Sequence, residues 1–387
     1  MRKAVIAGIG STAFGRHQDR SIQSLAIDAG CAALVESGVE RSRIGALYLG
    51  NFTAGPLCGQ EVLAGITADE LGLGPIPATK VEGACASGGI AFRHAVMAVR
   101  AGLCDAAIAL GVEKMAHASG ADVTAALNCA MDNRSDGPSG LTFPGFYGLA
   151  WRKYAAAGRA NRDDVSAVVI KNKAAGLKNP LAQMGADLDL ETIAASAYIA
   201  DPIQLYDCCP VSDGASAVVV TTPELARDAV AEPLDILATV QTSGAPRIAG
   251  HADMCSLVAT VAASSQALEE AGLGVDDLSL AELHDCFSIA EILNSEDLGL
   301  VPRGEGAAWA AEGRTGSGGD RPINPSGGLL AKGHPVGATG LGQIYEATIQ
   351  LRGTHSNQVR GARFALTHNL GGAGVACTVS ILGRPDA

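Results

Sequence analysis

The chain has 387 residues, of which 40 are acidic and 28 basic, so its formal net charge is −12. This negative charge argues against nucleic acid or an anionic membrane surface as the principal partner. No segment approaches the ~18 consecutive apolar residues of a membrane span, so we expect a cytoplasmic protein whose ten cysteines are free thiols.

The N-terminal segment, "MRKAVIAGIGSTAFGR", predicts a strand that runs into a glycine turn rather than a cleaved signal. Its "GIGSTA" at 8–13 matches the start of a dinucleotide-binding fingerprint. A dehydrogenase is disfavoured because "FGRHQDRS" separates this turn from the next predicted helix. We expect no nicotinamide-dependent absorbance change.

Further along the chain, short β-branched runs alternate with longer Ala-rich helical patterns, which predicts a parallel sheet covered by helices. The pattern repeats. "AALVESGVERSRIGALYL" aligns without a gap with "QALEEAGLGVDDLSLAEL", so that Gly38 lies opposite Gly272 and Leu49 opposite Leu283. The repeat indicates two pseudo-symmetric halves, residues 1–117 and 231–387.

Residues 118–230 depart from this alternation. "DNRSDGPSGLTFPGFYG" and "KNKAAGLKNPLAQM" are rich in Gly, Pro, Asn and Lys. Long segments of this composition between regular elements are commonly functional. We therefore predict an inserted loop domain that covers a site and ends with the return strand of the N-terminal half.

One cysteine of the first half lies among small residues, in "EGACASGG" at 82–89. Cys85 begins a predicted helix, where backbone N–H groups and the helix dipole stabilise a thiolate and lower its pKa. Its small neighbours leave room for a substrate. A buried structural cysteine is the alternative interpretation.

The corresponding place in the second half is "NPSGGLLAKGHPVGATG", which contains His334. Pro335 holds this histidine out of the α region, and a helix is predicted to begin near Gly337. The repeat therefore places a thiol and an imidazole at equivalent helix starts, as a nucleophile and its base would be.

Two more strand ends carry reactive side chains. In "LSLAELHDCFSIAEI" a strand is predicted to end at Leu283, and extended backbone then directs His284 and Cys286 to one face and Asp285 to the other. Ligands of open α/β sheets bind at such strand ends. The second strand end, "FALTHNLGGAG", offers His368 followed by glycines.

A zinc site is the main chemical alternative, because Cys85, His284, Cys286 and His334 are all soft ligands. Structural zinc usually takes its ligands in closely spaced pairs, and the only short pair here is H-x-C. We therefore predict no metal.

Together, "EGACASGG", "HDCF", "GGLLAKGHPVGATG" and "HNLGGAG" resemble the thiolase superfamily, and most closely the sterol-carrier-protein-type thiolases and similar archaeal and bacterial acetyl-CoA acetyltransferases. The resemblance implies a five-layered αβαβα fold. The chain departs from the biosynthetic and degradative thiolases at two positions, since His284 replaces an Asn and His368 replaces a catalytic Cys.

The resemblance also implies roles. Cys85 is expected to be the nucleophile that carries an acyl group, and His334 its base. His284 is expected to order one oxyanion hole, and the backbone N–H groups of Cys85 and Leu370 to form the other. Cys286 is expected to take over proton transfer from the missing cysteine, with His368 as the competing residue for that task.

Coenzyme A thioesters are the implied substrates, without a bound cofactor. Lys171, Lys173 and Lys178 of the insertion could meet the phosphates of coenzyme A, or could form a solvated helix face. The implied assembly is a homodimer or a dimer of dimers.

Two other functions remain open. Some thiolase-like proteins are lyases that cleave carbon–carbon bonds without a cysteine, and some are scaffold subunits that act with a small OB-fold acyl-CoA-binding partner. The presence of both Cys85 and Cys286 favours a thiolase. Activity of the purified chain alone would separate these functions.

Overall fold

The computed structural model describes residues 2–385. Its strands are β1 (Val5–Ser11), β2 (Ile44–Gly50), β3 (Ala78–Val81), β4 (Ala106–Glu113), β5 (Tyr198–Ala200), β6 (Ile203–Gln204), β7 (Gly214–Thr221), β8 (Leu234–Ser243), β9 (Leu280–Glu282), β10 (Phe364–Gly371) and β11 (Ala376–Gly383). Its helices are α1 (Ile22–Ser37), α2 (Ala54–Cys58), α3 (Leu63–Glu70), α4 (Ser87–Arg100), α5 (Gly120–Asn128), α6 (Phe143–Ala156), α7 (Arg162–Lys178), α8 (Leu190–Ala194), α9 (Val258–Ala271), α10 (Ser288–Asp297), α11 (Gly306–Ala311), α12 (Gly328–Lys332) and α13 (Thr339–Leu351).

A nine-stranded sheet in the order β3-β2-β4-β7-β1-β8-β11-β10-β9 organises the described residues. Its first five strands come from the N-terminal half and its last four from the C-terminal half. The halves meet where β1 pairs with β8, Val5 opposite Asp235 and Ile6 opposite Leu234.

The two halves have the same strand order when each is read outwards from this junction. The isolated bridge between Ala281 and Ile323 takes the place of a fifth strand in the second half. The helices α1 and α9 both end at a glycine in the left-handed conformation, Gly38 with φ 64° and Gly272 with φ 66°. These are the two glycines that align in the sequence.

Alternate side chains of the central strands face different cores. On β7, Val218 and Val220 pack in the core shared with α4 and α13, whereas Val219 packs with α1 and α3. The core with α4 and α13 contains residues from both halves of the sheet, so these two helices lie between the halves. A third core lies against α9 and α10. The layers are therefore αβαβα, as predicted.

The sheet is mixed, whereas the sequence pattern predicts a parallel one. β2 pairs in parallel with β3 and β4, but β7 runs antiparallel to both β4 and β1. The connections explain the difference. The insertion returns the chain so that β7 runs against β4, and β10 and β11 form a hairpin. Buried parallel and antiparallel strands have similar apolar runs, so composition does not separate them.

The insertion contributes α5 to α8 and the small sheet of β5 and β6. Its helix α7 contacts α10, α11 and α12, and α12 precedes the loop of His334. Among the described residues, no helix combines the length and apolar character needed to span a membrane.

Candidate active site

A cavity of about 330 Å³ lies where both halves meet the insertion. The insertion supplies apolar wall residues, among them Val123, Leu127, Phe143 and Leu205. The reactive groups that line the cavity include Cys85, His284, Cys286 and His334, together with Cys208 and Cys209. The structure thus brings together all four residues that the sequence selects as catalytic.

Cys85 lies in a 3₁₀ turn, Ala84–Ala86, immediately before α4. Ala84 has φ 50°, a left-handed conformation that is rare for a residue with a side chain. The Ser87 hydroxyl fixes the turn, since it accepts a hydrogen bond from the Gly83 N–H (3.0 Å) and donates one to the Ala84 carbonyl (2.6 Å). This turn presents the thiol to the cavity.

Burial raises the pKa of the Cys85 thiol to about 12, and the N–H of Gly372, which points at the sulfur, lowers it by less. The sequence prediction of a lowered pKa is therefore wrong in direction. The helix start supplies donors, but loss of solvent outweighs them. Cys85 is a neutral thiol at pH 7 and needs a base to become a nucleophile.

His334 can act as this base. Its Nδ1 lies 2.7 Å from the Thr339 hydroxyl, which donates its only hydrogen to the carbonyl of Pro335 (3.0 Å). The hydroxyl must then accept from Nδ1–H, which leaves Nε2 without a hydrogen. Burial lowers the pKa of His334 to about 3, so the ring is neutral and Nε2 is free to take a proton.

His284 carries its hydrogen on the opposite nitrogen. The Asn369 amide is oriented by the Gly89 N–H, which donates to Oδ1 (3.2 Å), and by the Cys85 carbonyl, which accepts from Nδ2 (2.9 Å). Nδ2 lies 3.4 Å from His284 Nδ1, which must accept. Nε2 of His284 therefore bears the hydrogen. Burial, and then the neighbouring His334 and His368, hold the pKa of His284 well below its usual value.

These groups form a compact cluster. One ligand atom each of Cys85, His284 and His334 lies within 4.8 Å of the others, and the two imidazole rings are 5.0 Å apart at 81°. A thiol, a base and an N–H donor thus converge on one point. The same three atoms could hold a soft cation with one position open. Cys286, the fourth candidate zinc ligand, is not part of this cluster, and the absence of a metal remains a prediction.

Side chains alternate after β9 as predicted. Cys286 lines the cavity, whereas Asp285 points away and accepts hydrogen bonds from the N–H of Leu329 (2.7 Å) and from Asn172 Nδ2 (2.8 Å). Burial raises the pKa of Cys286 well above its usual value.

His368 and Leu370 do not line the cavity. His368 is fully buried, where its Nδ1 accepts from the N–H of His284 (3.4 Å) and its Nε2 lies 3.1 Å from the Thr260 hydroxyl. Leu370 lies inside β10 opposite Cys377. The amide next to the Cys85 sulfur is that of Gly372, two residues later, because the chain turns into the cavity only after β10 ends.

The three lysines expected to meet phosphates are held in internal contacts. Lys171 pairs with Glu291 (2.8 Å), the buried Lys173 donates to the Leu330 carbonyl (2.6 Å), and Lys178 donates to Asn357 Oδ1 (3.2 Å). They brace α7 against the second half instead of facing the cavity. None of the three lysines lines the cavity, and of the three only Lys178 is exposed.

Glu113, at the end of β4, is a functional residue that sequence reasoning missed. Its buried carboxylate accepts hydrogen bonds from the side chains of Asn51 (2.8 Å) and Thr53 (2.7 Å) and from the N–H of Gly337 (3.1 Å). It thereby fastens the loop of His334 to the N-terminal half. Its position at the end of a strand is the feature of the sequence that could have identified it.

Four other residues were missed as well: Tyr147, Thr339, Asn369 and Gly372. Asn369 and Gly372 lie within the quoted motif "HNLGGAG", and Thr339 ends "GHPVGAT", so closer attention to motif neighbours would have found them. Nothing in the sequence singles out Tyr147.

Family models agree with this geometry. The model described as "Thiolase, N-terminal domain" matches residues 4–224, and "Thiolase C-terminal domain-like" matches residues 241–384. The chain belongs to the thiolase family. It is an acyltransferase of the thiolase type, and it is 41% identical over 385 residues to the acetyl-CoA acetyltransferase of Methanothermobacter thermautotrophicus, covering 99% of this chain and 100% of that protein.

Two further relatives of this thiolase-family chain show the spread of the family. The benzoylsuccinyl-CoA thiolase subunit BbsB of Thauera aromatica is 35% identical, with 96% of this chain and 95% of that protein covered. Among solved structures, the Ltp2-ChsH2(DUF35) aldolase superposes with a TM-score of 0.85 at 28% identity, covering 99% of this chain and 98% of that chain.

Proposed function

We propose that this protein is a thiolase that makes or cleaves a 3-ketoacyl-CoA through an acyl group carried on Cys85. The observation that carries the proposal is the convergence of Cys85, His284 and His334 within 4.8 Å at an apolar cavity. Claisen chemistry needs a thiol nucleophile, a base and donors for oxyanions. Relatives named acetyl-CoA acetyltransferase support coenzyme A thioesters as substrates.

In the first half-reaction, Nε2 of His334 takes the proton of the Cys85 thiol while the sulfur attacks the thioester carbonyl. The N–H groups of Cys85 and Gly372 point at this sulfur and stabilise the oxyanion beside it. The carbon–sulfur bond to coenzyme A then breaks, and the leaving thiolate takes the proton from His334. One well-placed donor contributes roughly 3 to 4 kcal/mol.

In the second half-reaction, the Cys286 thiol gives its proton to solvent, and the resulting thiolate takes a proton from the α-carbon of a second acyl-CoA. The N–H on Nε2 of His284 stabilises the enolate oxygen that forms. The carbanion attacks the acyl group on Cys85, a carbon–carbon bond forms, and the Cys85 sulfur leaves as a thiolate that takes a proton from solvent. Cleavage follows the same steps in reverse.

Mass spectrometry of the acyl-enzyme tests the proposal. Mixing the protein with a panel of acyl-CoAs should acylate the peptide containing Cys85 in a burst of one group per site. Cys85→Ala should abolish the burst. Cys129→Ala, at an exposed cysteine after α5, is the matched control and should leave the burst intact. Acylation at another cysteine, or none with any acyl-CoA, would rule out the mechanism.

A lyase is the second candidate, and the 0.85 TM-score to an aldolase favours it. A lyase of this fold would retain carbon–carbon cleavage in Cys85→Ala, whereas a thiolase would lose it. The same experiment therefore decides between the two functions.

Partners of the chain are proposals of the same kind. The strand β3 lies at the edge of the sheet, where its unpaired side can bind a second copy of the chain. The Ltp2-ChsH2(DUF35) aldolase supports a small partner protein, which we propose to be an OB-fold acyl-CoA-binding protein. Activity of the purified chain, measured together with its sedimentation, separates a self-sufficient dimer from a subunit that needs a partner.

A further inference from the structure

Tyr147 places a hydroxyl group in the active-site cavity that the proposed reaction does not use. The residue lies on α6 and lines the cavity, yet only 2% of its surface is exposed. Within residues 2–385, its hydroxyl oxygen has no hydrogen-bond partner of ordinary geometry. Buried hydroxyls are normally paired, so this one is available to a group that changes during the reaction.

The aromatic ring of Tyr147 is held firmly. It packs against Phe287, with ring centroids 4.9 Å apart, and edge-on against Phe146 at 5.1 Å. Phe287 directly follows Cys286 in the chain, so the ring and this thiol are fixed relative to each other. The group that interacts most strongly with the hydroxyl is the thiol of Cys286, followed by that of Cys85.

We propose that Tyr147 is a positioning residue that donates its hydroxyl hydrogen to Cys286 when the sulfur becomes a thiolate, and so sets how readily Cys286 accepts a proton from the α-carbon. This inference rests on the proposed function. A thiol is a weak acceptor, whereas a thiolate is a strong one. The hydroxyl is therefore bound only weakly to Cys286 in the resting enzyme and strongly in the reacting one, which favours catalysis.

The surroundings of Cys286 otherwise oppose a negative charge. Burial raises its pKa most, Cys85 and Asp285 raise it further, and the Tyr147 hydroxyl lowers it. The titratable groups around Cys286 are Cys85, Tyr147, Cys209, His284 and His334, and Asp285 acts on it from the opposite face. Burial also raises the pKa of Tyr147 well above its usual value, so the hydroxyl remains a donor throughout the working range of pH.

The test is the pH dependence of hydrogen exchange at the α-carbon of acetyl-CoA in D₂O. In Tyr147→Phe, the exchange rate at pH 7 should fall about 10- to 100-fold, because the thiolate loses a charge-assisted hydrogen bond. The rate should recover at higher pH, since removing this donor raises the pKa of Cys286. The burst of acyl-Cys85 and the KM for acetyl-CoA should not change.

Tyr154→Phe is the matched control. Tyr154 is a fully buried residue of the same helix, and its hydroxyl donates to Glu296 away from the cavity. This variant should lose stability but keep the exchange profile of the wild type. If it shifts the profile as Tyr147→Phe does, or if Tyr147→Phe changes only KM, Tyr147 does not act through Cys286.

A second measurement avoids any variant that fails to fold. Biosynthetic replacement of tyrosine by 3-fluorotyrosine keeps the ring shape and strengthens the donor, so the exchange profile should move to lower pH. An unmoved profile would overturn the inference. If the wild-type protein forms acyl-Cys85 and exchanges the α-hydrogen, and Tyr147→Phe does both equally well, the inference about Tyr147 is refuted but the proposed function is not. Wild-type protein that does neither refutes the proposed function as well.

Discussion

The two histidines of the cavity have the same chemistry in water and opposite roles here. Thr339 fixes the hydrogen of His334 on Nδ1, and Asn369 fixes that of His284 on Nε2. Burial lowers the pKa of both rings, so neither is protonated at neutral pH. A hydrogen-bond acceptor and a hydrogen-bond donor therefore face the same thiol.

Substitution of His284 tests the donor. His284→Ala should lower kcat about 10²- to 10³-fold, the usual effect of removing one oxyanion donor. His284→Asn restores an N–H donor and should recover part of this loss. Steady-state kinetics with acetyl-CoA would measure both. Equal rates for the Ala and Asn variants would show that the imidazole does not act as a donor.

At the scale of elements, α4 and α13 approach each other backbone to backbone. A Cβ on Gly88 would lie 2.9 Å from the Gly337 carbonyl oxygen, and one on Gly340 would lie 2.4 Å from the N of Gly89. The first helix follows Cys85 and the second follows His334. Their contact therefore sets the distance between the two catalytic groups.

Gly340→Ala should destabilise the protein by about 1 to 3 kcal/mol, the usual effect of overpacking, and should lower activity. Gly65→Ala on α3 is the matched control, because its Cβ would meet only the Val62 side chain at 3.7 Å. That variant should gain up to about 1 kcal/mol. Urea unfolding measures both. A Gly340→Ala variant as stable as the wild type would contradict the close contact.

Local pattern predicts much of this structure. Glycine caps, the alternation of His284 and Cys286, and the motifs of Cys85 and His334 are all visible in the sequence. The pKa of Cys85 was predicted in the wrong direction, because burial depends on every element around the thiol. The sequence also did not indicate the Gly372 N–H beside the Cys85 sulfur, because the exact end of β10 is set by pairing with β11.

For the whole molecule, folding buries histidines that are neutral only because water is excluded. His368 is fully buried between β10 and α9, and burial lowers its pKa from 6.5 to about 3. The unfolded chain binds a proton at this residue below pH 6.5, whereas the folded chain does not. The contribution of His368 to stability is therefore lost as pH falls from 6.5 towards 3.

Between pH 7 and pH 5 this linkage costs about 2 kcal/mol for one such histidine. The side chain of His368→Asn cannot titrate. Between pH 7 and pH 5 the free energy of unfolding of this variant should therefore fall by about 2 kcal/mol less than that of the wild type. Other groups, such as Glu282 with a pKa raised to about 7, are common to both proteins and cancel. Denaturant unfolding at the two pH values measures this difference, and parallel curves would disprove it.

The glycine contact between α4 and α13 also has a mechanical meaning. Because the contact is between two backbones, it contains no rotatable side chain that could absorb a displacement. Fluctuations of the surrounding core then displace the two helices together, and the gap between thiol and imidazole keeps its width. The distance between the two catalytic groups is thus set by the van der Waals radii of main-chain atoms.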